Sequence, residues 1–193
     1  LIATVALRDK CVTTDEAIHL AGGLSYWLLN DYRLQPENGN LPQRWHSLPA
    51  ALSGSCHLPT ADFPAWKRSN VWEVGPHVLF DSGGNPETIL AQGRGMAALL
   101  SVGVCLVVFF WSRRLFGLRG AFASLLLATF CPALLAHGPL MTSDACLTLF
   151  LLLSVWSIWE LLHEITPLRL LGGMIAIAGL FLSKMSAPLK IGR

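Results

Sequence analysis

The chain has 193 residues, 53% of them hydrophobic and only 13% charged, where a soluble domain carries roughly 25% charge. That composition excludes an ordinary water-soluble domain. A formal net charge of +2, with no dense basic stretch, also excludes a nucleic-acid-binding surface. Most charges precede Arg94, and the remainder is dominated by long uncharged runs; the two halves face different solvents.

The opening segment Leu1 to Leu7 is apolar but amounts to about two helical turns, too short to cross a bilayer. Residues 1–8 are taken as the end of a truncated span. Residues 9–93 form a long external loop with juxtamembrane helices. Within it, Thr13 and Glu16 have the T-x-x-E spacing of a capping box, which predicts a helix running to about Leu29. Ile18, Leu20, Leu24, Trp27 and Leu28 give that helix apolar bulk. Tyr26 and Trp27 place it at the membrane interface, lying along it. Asn38, Gly39, Asn40 and Pro42 mark a turn, and Ser82 to Pro86 mark another. Cys11 and Cys56 share this loop, where an oxidising compartment would permit a disulfide. Cys105, Cys131 and Cys146 lie in or beside apolar runs and are expected to pack as small apolar residues.

Residues 94–193 form a transmembrane region of about four spans. The first, Gly95 to Ser112, has no charged residue, about the length a spanning helix requires. Further runs go from Gly120 to Ala136, from Ala145 to Trp159 with Leu161 and Leu162 beyond, and from Leu170 to Ser183. Arg113, Arg114 and Arg119 separate the first two runs, and Arg169 separates the last two. Those loops are therefore expected to be cytoplasmic. Residues 137–144 contain no Lys or Arg and belong outside, whereas Lys184, Lys190 and Arg193 run against the rule. Counting crossings puts Asp15, Arg94, Asp144 and Lys184 on one outer face, so four ionisable groups far apart in sequence can converge there.

Three stretches resemble a known family. Thr14-Asp15-Glu16-Ala17-Ile18-His19-Leu20-Ala21-Gly22-Gly23, followed by Asp31-Tyr32-Arg33-Leu34-Gln35-Pro36-Glu37, is similar to the first external loop of family 39 and related glycosyltransferases. These are GT-C enzymes such as protein O-mannosyltransferases and lipid A aminoarabinose transferases. Ala136-His137-Gly138-Pro139-Leu140-Met141-Thr142-Ser143-Asp144 resembles the second external loop. Leu182-Ser183-Lys184 with Pro188 resembles a third, weaker stretch. Glu37-Asn38-Gly39-Asn40-Leu41 departs from the His-Pro-Pro-Leu or Lys-Pro-Pro-Leu type sequence of many relatives, and Arg44 is the nearest substitute for a phosphate contact from that stretch.

The resemblance implies an all-α, polytopic transmembrane bundle of the GT-C type, with its active face on the external or periplasmic side of the plasma (inner) membrane. It implies transfer of a sugar from a polyprenyl- or dolichyl-phosphate carrier to a protein, lipid or glycan acceptor, with no metal and no cofactor. Asp15 would be the general base, because an acceptor hydroxyl is a poor nucleophile until a carboxylate takes its proton. Glu16 and Asp144 are the other catalytic candidates. Arg94 and Lys184 would hold the carrier phosphate, with His19 and His137 near acceptor or phosphate. Each has a plainer role as well. Asp15 and Glu16 are favoured in any first helical turn, Asp144 is placed to be an N-cap, Arg94 and Lys184 could snorkel to headgroups, and the histidines could be interfacial. A transporter or flippase of a lipid-linked substrate is the alternative class, and an inactive structural fragment is a third. Transporter charges tend to lie near the midplane, whereas here they sit at the ends of the apolar runs.

Overall fold

A computed structural model describes residues 10–59 and 61–184, and all of its regular secondary structure is α-helical. Leu1 to Leu7, Pro188, Lys190 and Arg193 lie outside the described residues. Among the described residues eight helices follow in order: α1 (Thr14–Leu28), α2 (Asn40–Ser53), α3 (Pro64–Lys67), α4 (Val71–Phe80), α5 (Pro86–Thr129), α6 (Pro132–His137), α7 (Asp144–His163) and α8 (Pro167–Ser183). The first four form a head layer, and α5, α7 and α8 form the bundle beneath it.

Helix α1 starts where the capping signal places it, with the Thr13 amide donating to Glu16 Oε2 at 2.9 Å. Its environment differs from the interfacial one expected. Every residue from Glu16 to Tyr26 is buried, because α1 is wrapped by α2 on one side and α4 on the other. Small residues make this possible. A Cβ on Gly22 or Gly23 would run into Gln43 or Ser47 of α2, and one on Gly75 of α4 would crowd the α1 backbone at Ala17. Ala17, Ile18, Ala21 and Leu24 then share a core with Val71, Val74, Val78 and Leu79. Only the last turn, with Trp27 and Leu28 exposed, keeps an interfacial character.

One further expectation is revised, and one open question is answered. The turn at Asn38 to Pro42 is mostly helix, since Gly39 is the N-cap and α2 begins at Asn40; proline is tolerated in a first turn because its missing N–H has no helical partner there. Cys11 and Cys56 are both unpaired thiols, the first exposed and the second buried. The Ser82 to Pro86 turn is present, with Asn85 capping α5 through its side chain and Pro86 in the first turn.

Helix α5 begins nine residues before the first apolar run and breaks at Gly117, whose φ of 72° and ψ of −171° are non-helical. The backbone region around this value is open essentially only to glycine. The chain reverses there. Ser112 Oγ meets Ser124 Oγ at 2.9 Å, and the Phe109 and Phe122 rings pack edge to face at 5.5 Å. The second apolar run, expected as one span to Ala136, is interrupted at Phe130 and Cys131, and α6 restarts at Pro132. Proline there cannot continue the preceding hydrogen-bond ladder.

Helices α5 and α7 are each long and apolar enough to cross a membrane, yet only 22% and 28% of their most apolar windows are buried in the fold. A core helix of a soluble protein would be mostly covered. Leu99, Leu106, Phe110 and Leu127 of α5, Leu162 of α7, and Leu171 and Met174 of the shorter apolar helix α8 are all exposed, so the surrounding medium of these three helices is lipid.

Candidate functional site at the head end of the bundle

Two loops bring the separated motifs together. The turn of residues 138–143, between α6 and α7, inserts Met141 into the head core, where it is fully buried against Gly93. The loop before α2 reaches the end of α8, where Asn38 and Lys184 form an isolated antiparallel bridge. Gly39 allows this, because any Cβ there would collide with the backbone of Leu182 and Ser183. The stretch that departs from the family pattern is thus the one that touches Lys184.

Lys184 Nζ lies 3.3 Å from Asp144 Oδ1. Asp144 is 59% exposed and Lys184 31%, so the pair is open to solvent and to a substrate. Asp144 is the first residue of α7 and not its N-cap; Ser143 holds that position. His19 is buried within reach of both charges. Burial holds its imidazole down at about 4, with Asp144 pulling the other way and Lys184 adding to the depression. It is therefore neutral at physiological pH. Asp15 precedes His19 by one turn on α1, which places the two on a common face of the helix. The Asp15 side chain is exposed and is engaged by none of the described residues. His137 is exposed at the end of α6.

Glu16 and Arg94 form a different arrangement. Arg94 Nε donates to Glu16 Oε1 and Nη2 to Oε2, both at 2.8 Å. The fork also donates to the carbonyls of Lys10 at 3.2 Å and Cys11 at 3.1 Å. Glu16 is fully buried and Arg94 nearly so. Burial alone would raise the Glu16 carboxyl, but the Arg94 hydrogen bonds, the Thr13 amide and the Arg94 charge together leave it below its ordinary value. Two residues expected to act on substrate thus hold each other, tying the start of α1 to α5. Below them, both His46 ring nitrogens and the Gln35 side-chain amide are buried without a hydrogen-bond partner among the described residues. Arg44 stacks on Trp27 at 4.8 Å and donates to Tyr32 Oη at 2.7 Å. Among the described residues, no group of three or more His, Cys, Asp or Glu side chains is disposed to hold a metal.

A packed head over lipid-exposed apolar helices defines an all-α membrane protein. The family model described as dolichyl-phosphate-mannose-protein mannosyltransferase matches residues 89–191, just over half of the chain, and the chain belongs to that family of GT-C membrane glycosyltransferases. No curated protein and no solved structure matches it. The family match includes Arg94, His137, Asp144 and Lys184, while Asp15, Glu16 and His19 lie before it.

Sequence reasoning named Asn38, Gly39 and Met141 only as turn or motif residues and did not foresee their packing roles at this end. The only signal for Gly39 was glycine at the point where the family pattern changes.

Proposed function

We propose that the chain takes part in moving a sugar from a polyprenyl- or dolichyl-phosphate carrier to an acceptor hydroxyl at the external, periplasmic face of the inner membrane. The acceptor oxygen attacks the anomeric carbon, the bond from that carbon to the phosphate oxygen breaks, and Asp15 takes the hydroxyl proton. The lipid phosphate departs with the bonding pair. Lys184 offsets the charge that builds on that phosphate, and Asp144 orients the ammonium. His19, held neutral, can hydrogen-bond to a sugar or acceptor without repelling Lys184. Arg94 and Glu16 serve as the tie that fixes the first turn of α1, and with it Asp15.

The observation that carries this reading is the contrast in availability. Asp15 is an exposed carboxylate that none of the described residues engages, one turn from a histidine that feels Asp144 and Lys184, whereas neighbouring Glu16 is consumed by Arg94.

The test is Asp15→Asn in membranes carrying the full-length protein, supplied with labelled polyprenyl-phosphate mannose. Asparagine keeps the size and one oxygen but cannot accept the proton, so turnover should fall by on the order of 100-fold or more while carrier binding survives. Near-normal turnover would remove Asp15 as the base. Impermeant labelling of single cysteines at positions 114 and 144 checks the orientation, with 144 reactive from outside and 114 protected.

A further inference from the structure

The far end of the bundle holds a second polar cluster that the transfer reaction does not use. A groove of about 400 Å³ opens between α5, α7 and α8, and Arg114, Glu160 and Arg169 stand at its mouth. Arg114 Nη1 lies 2.6 Å from Glu160 Oε1 and Arg169 Nε lies 3.4 Å from Oε2. Trp156 Nε1 donates to the same carboxylate at 3.1 Å. One carboxylate therefore serves two guanidiniums. The second acid, Glu164, reaches Arg169 at 2.8 Å but is 63% exposed, so its hold is screened by solvent. Arg113 and Arg119 stand at the same end of the bundle, and four arginines against two glutamates leave it positive. Trp111, stacked on Trp156 at 6.5 Å, also keeps a buried indole N–H with no partner among the described residues.

Below this mouth the walls are apolar, with Phe150, Leu153 and Ile175. Phe150 precedes Glu160 on α7 by a distance of about 15 Å at the rise of an α-helix. That is about half of a bilayer core of roughly 30 Å. A basic mouth above an apolar trough one leaflet deep matches one kind of molecule.

We propose that this groove binds an anionic glycerophospholipid, its phosphate between Arg114 and Arg169 and one acyl chain along Phe150, Leu153 and Ile175. Charge complementarity at the mouth and the depth of the trough together favour a lipid over a peptide helix, which would need no paired guanidiniums. Arginine suits the role because its fork retains donors for phosphate after meeting a carboxylate.

Gly172 supplies a clean test. It lines the groove, and a Cβ there meets no heavy atom within 4 Å, so Gly172→Leu fills space without disturbing its own fold. The full chain, released from mild detergent doped with phosphatidylglycerol or phosphatidylcholine, is weighed with its bound lipids by native mass spectrometry. The expected result is retention of phosphatidylglycerol over phosphatidylcholine by about 10-fold or more, loss of that preference in Arg114→Gln/Arg169→Gln, and loss of retention in Gly172→Leu with unfolding temperature unchanged or raised. Equal retention of the two lipids by the native chain would overturn the proposal, as would Gly172→Leu holding phosphatidylglycerol like the native chain. A photocrosslinker in place of Ile175 that captures peptide instead of lipid would overturn it as well.

Discussion

Two acid–base pairs stand at the head end of the bundle, one joining α1 to α5 and the other α7 to the end of α8, and they are built in opposite ways. Glu16 and Arg94 are buried, joined by two parallel hydrogen bonds, and shared with two backbone carbonyls. Asp144 and Lys184 meet through a single 3.3 Å contact with much of both side chains exposed. The first arrangement leaves little capacity for a substrate, and removing either partner strands a charge in a dry place. The second can open without such a penalty, since an exposed pair contributes only about 0–1 kcal/mol. Under the proposed function, burial separates the charges that hold the site from those available to act in it.

The largest test of that division is Arg94→Gln, which leaves Glu16 buried and unpaired. It should cost about 3–5 kcal/mol, read as a drop in unfolding temperature and yield of the solubilised protein; an unchanged melt would mean that the pair is not structural. Acid should come next. His19 is held down at about 4 and His46 at about 3, from an ordinary value of 6.5, both by burial first. The unfolded chain takes up these protons below its ordinary value while the folded one refuses them, so the stability they support is intact above pH 6.5 and is lost as pH falls toward 4. The loss should be on the order of 3 kcal/mol for His19 and about 5 kcal/mol for His46, and His46→Asn should flatten the dependence of unfolding temperature on pH. Glu16, held below its ordinary value, adds its own loss only at still lower pH.

Lys184→Gln should lower transfer by roughly 100-fold with the melt unmoved, the reverse of Arg94→Gln. If both variants lose stability and activity together, the two pairs are not functionally distinct. Asp144→Asn should be the mildest in the melt, shifting stability by less than about 1 kcal/mol.

Local chemistry was legible in the sequence where it acts locally. Thr13 and Glu16 announced the start of α1, and the uncharged runs located α5, α7 and α8. What escaped was burial and pairing at a distance. The apolar bulk of Leu20, Leu24 and Trp27 suggested a helix with one covered side, but Gly22 and Gly23 admit α2 so closely that the other side is covered too. Glu16 and Arg94 were both recognised as ionisable groups of the outer face, but across 78 residues nothing in their spacing says that they satisfy each other. Lys184 ran against the charge rule in the sequence; its partner Asp144, at the start of α7, and its backbone neighbour Asn38 reach it only through tertiary packing.

The reversal at Gly117 bears on how the chain is made as well as on how it stands. With Ser112 and Ser124 already in contact across the corner, the two arms of α5 form a hairpin whose connection is a single residue. Such a hairpin hides each arm's apolar flank against the other before any later helix has been synthesised. Its insertion during translation is then expected to be one event and not two, with Arg113, Arg114 and Arg119 gathered at the tip. An alanine at the corner would oppose the backbone turn itself, so its damage should appear at the ribosome-bound stage, as arms that enter the bilayer separately.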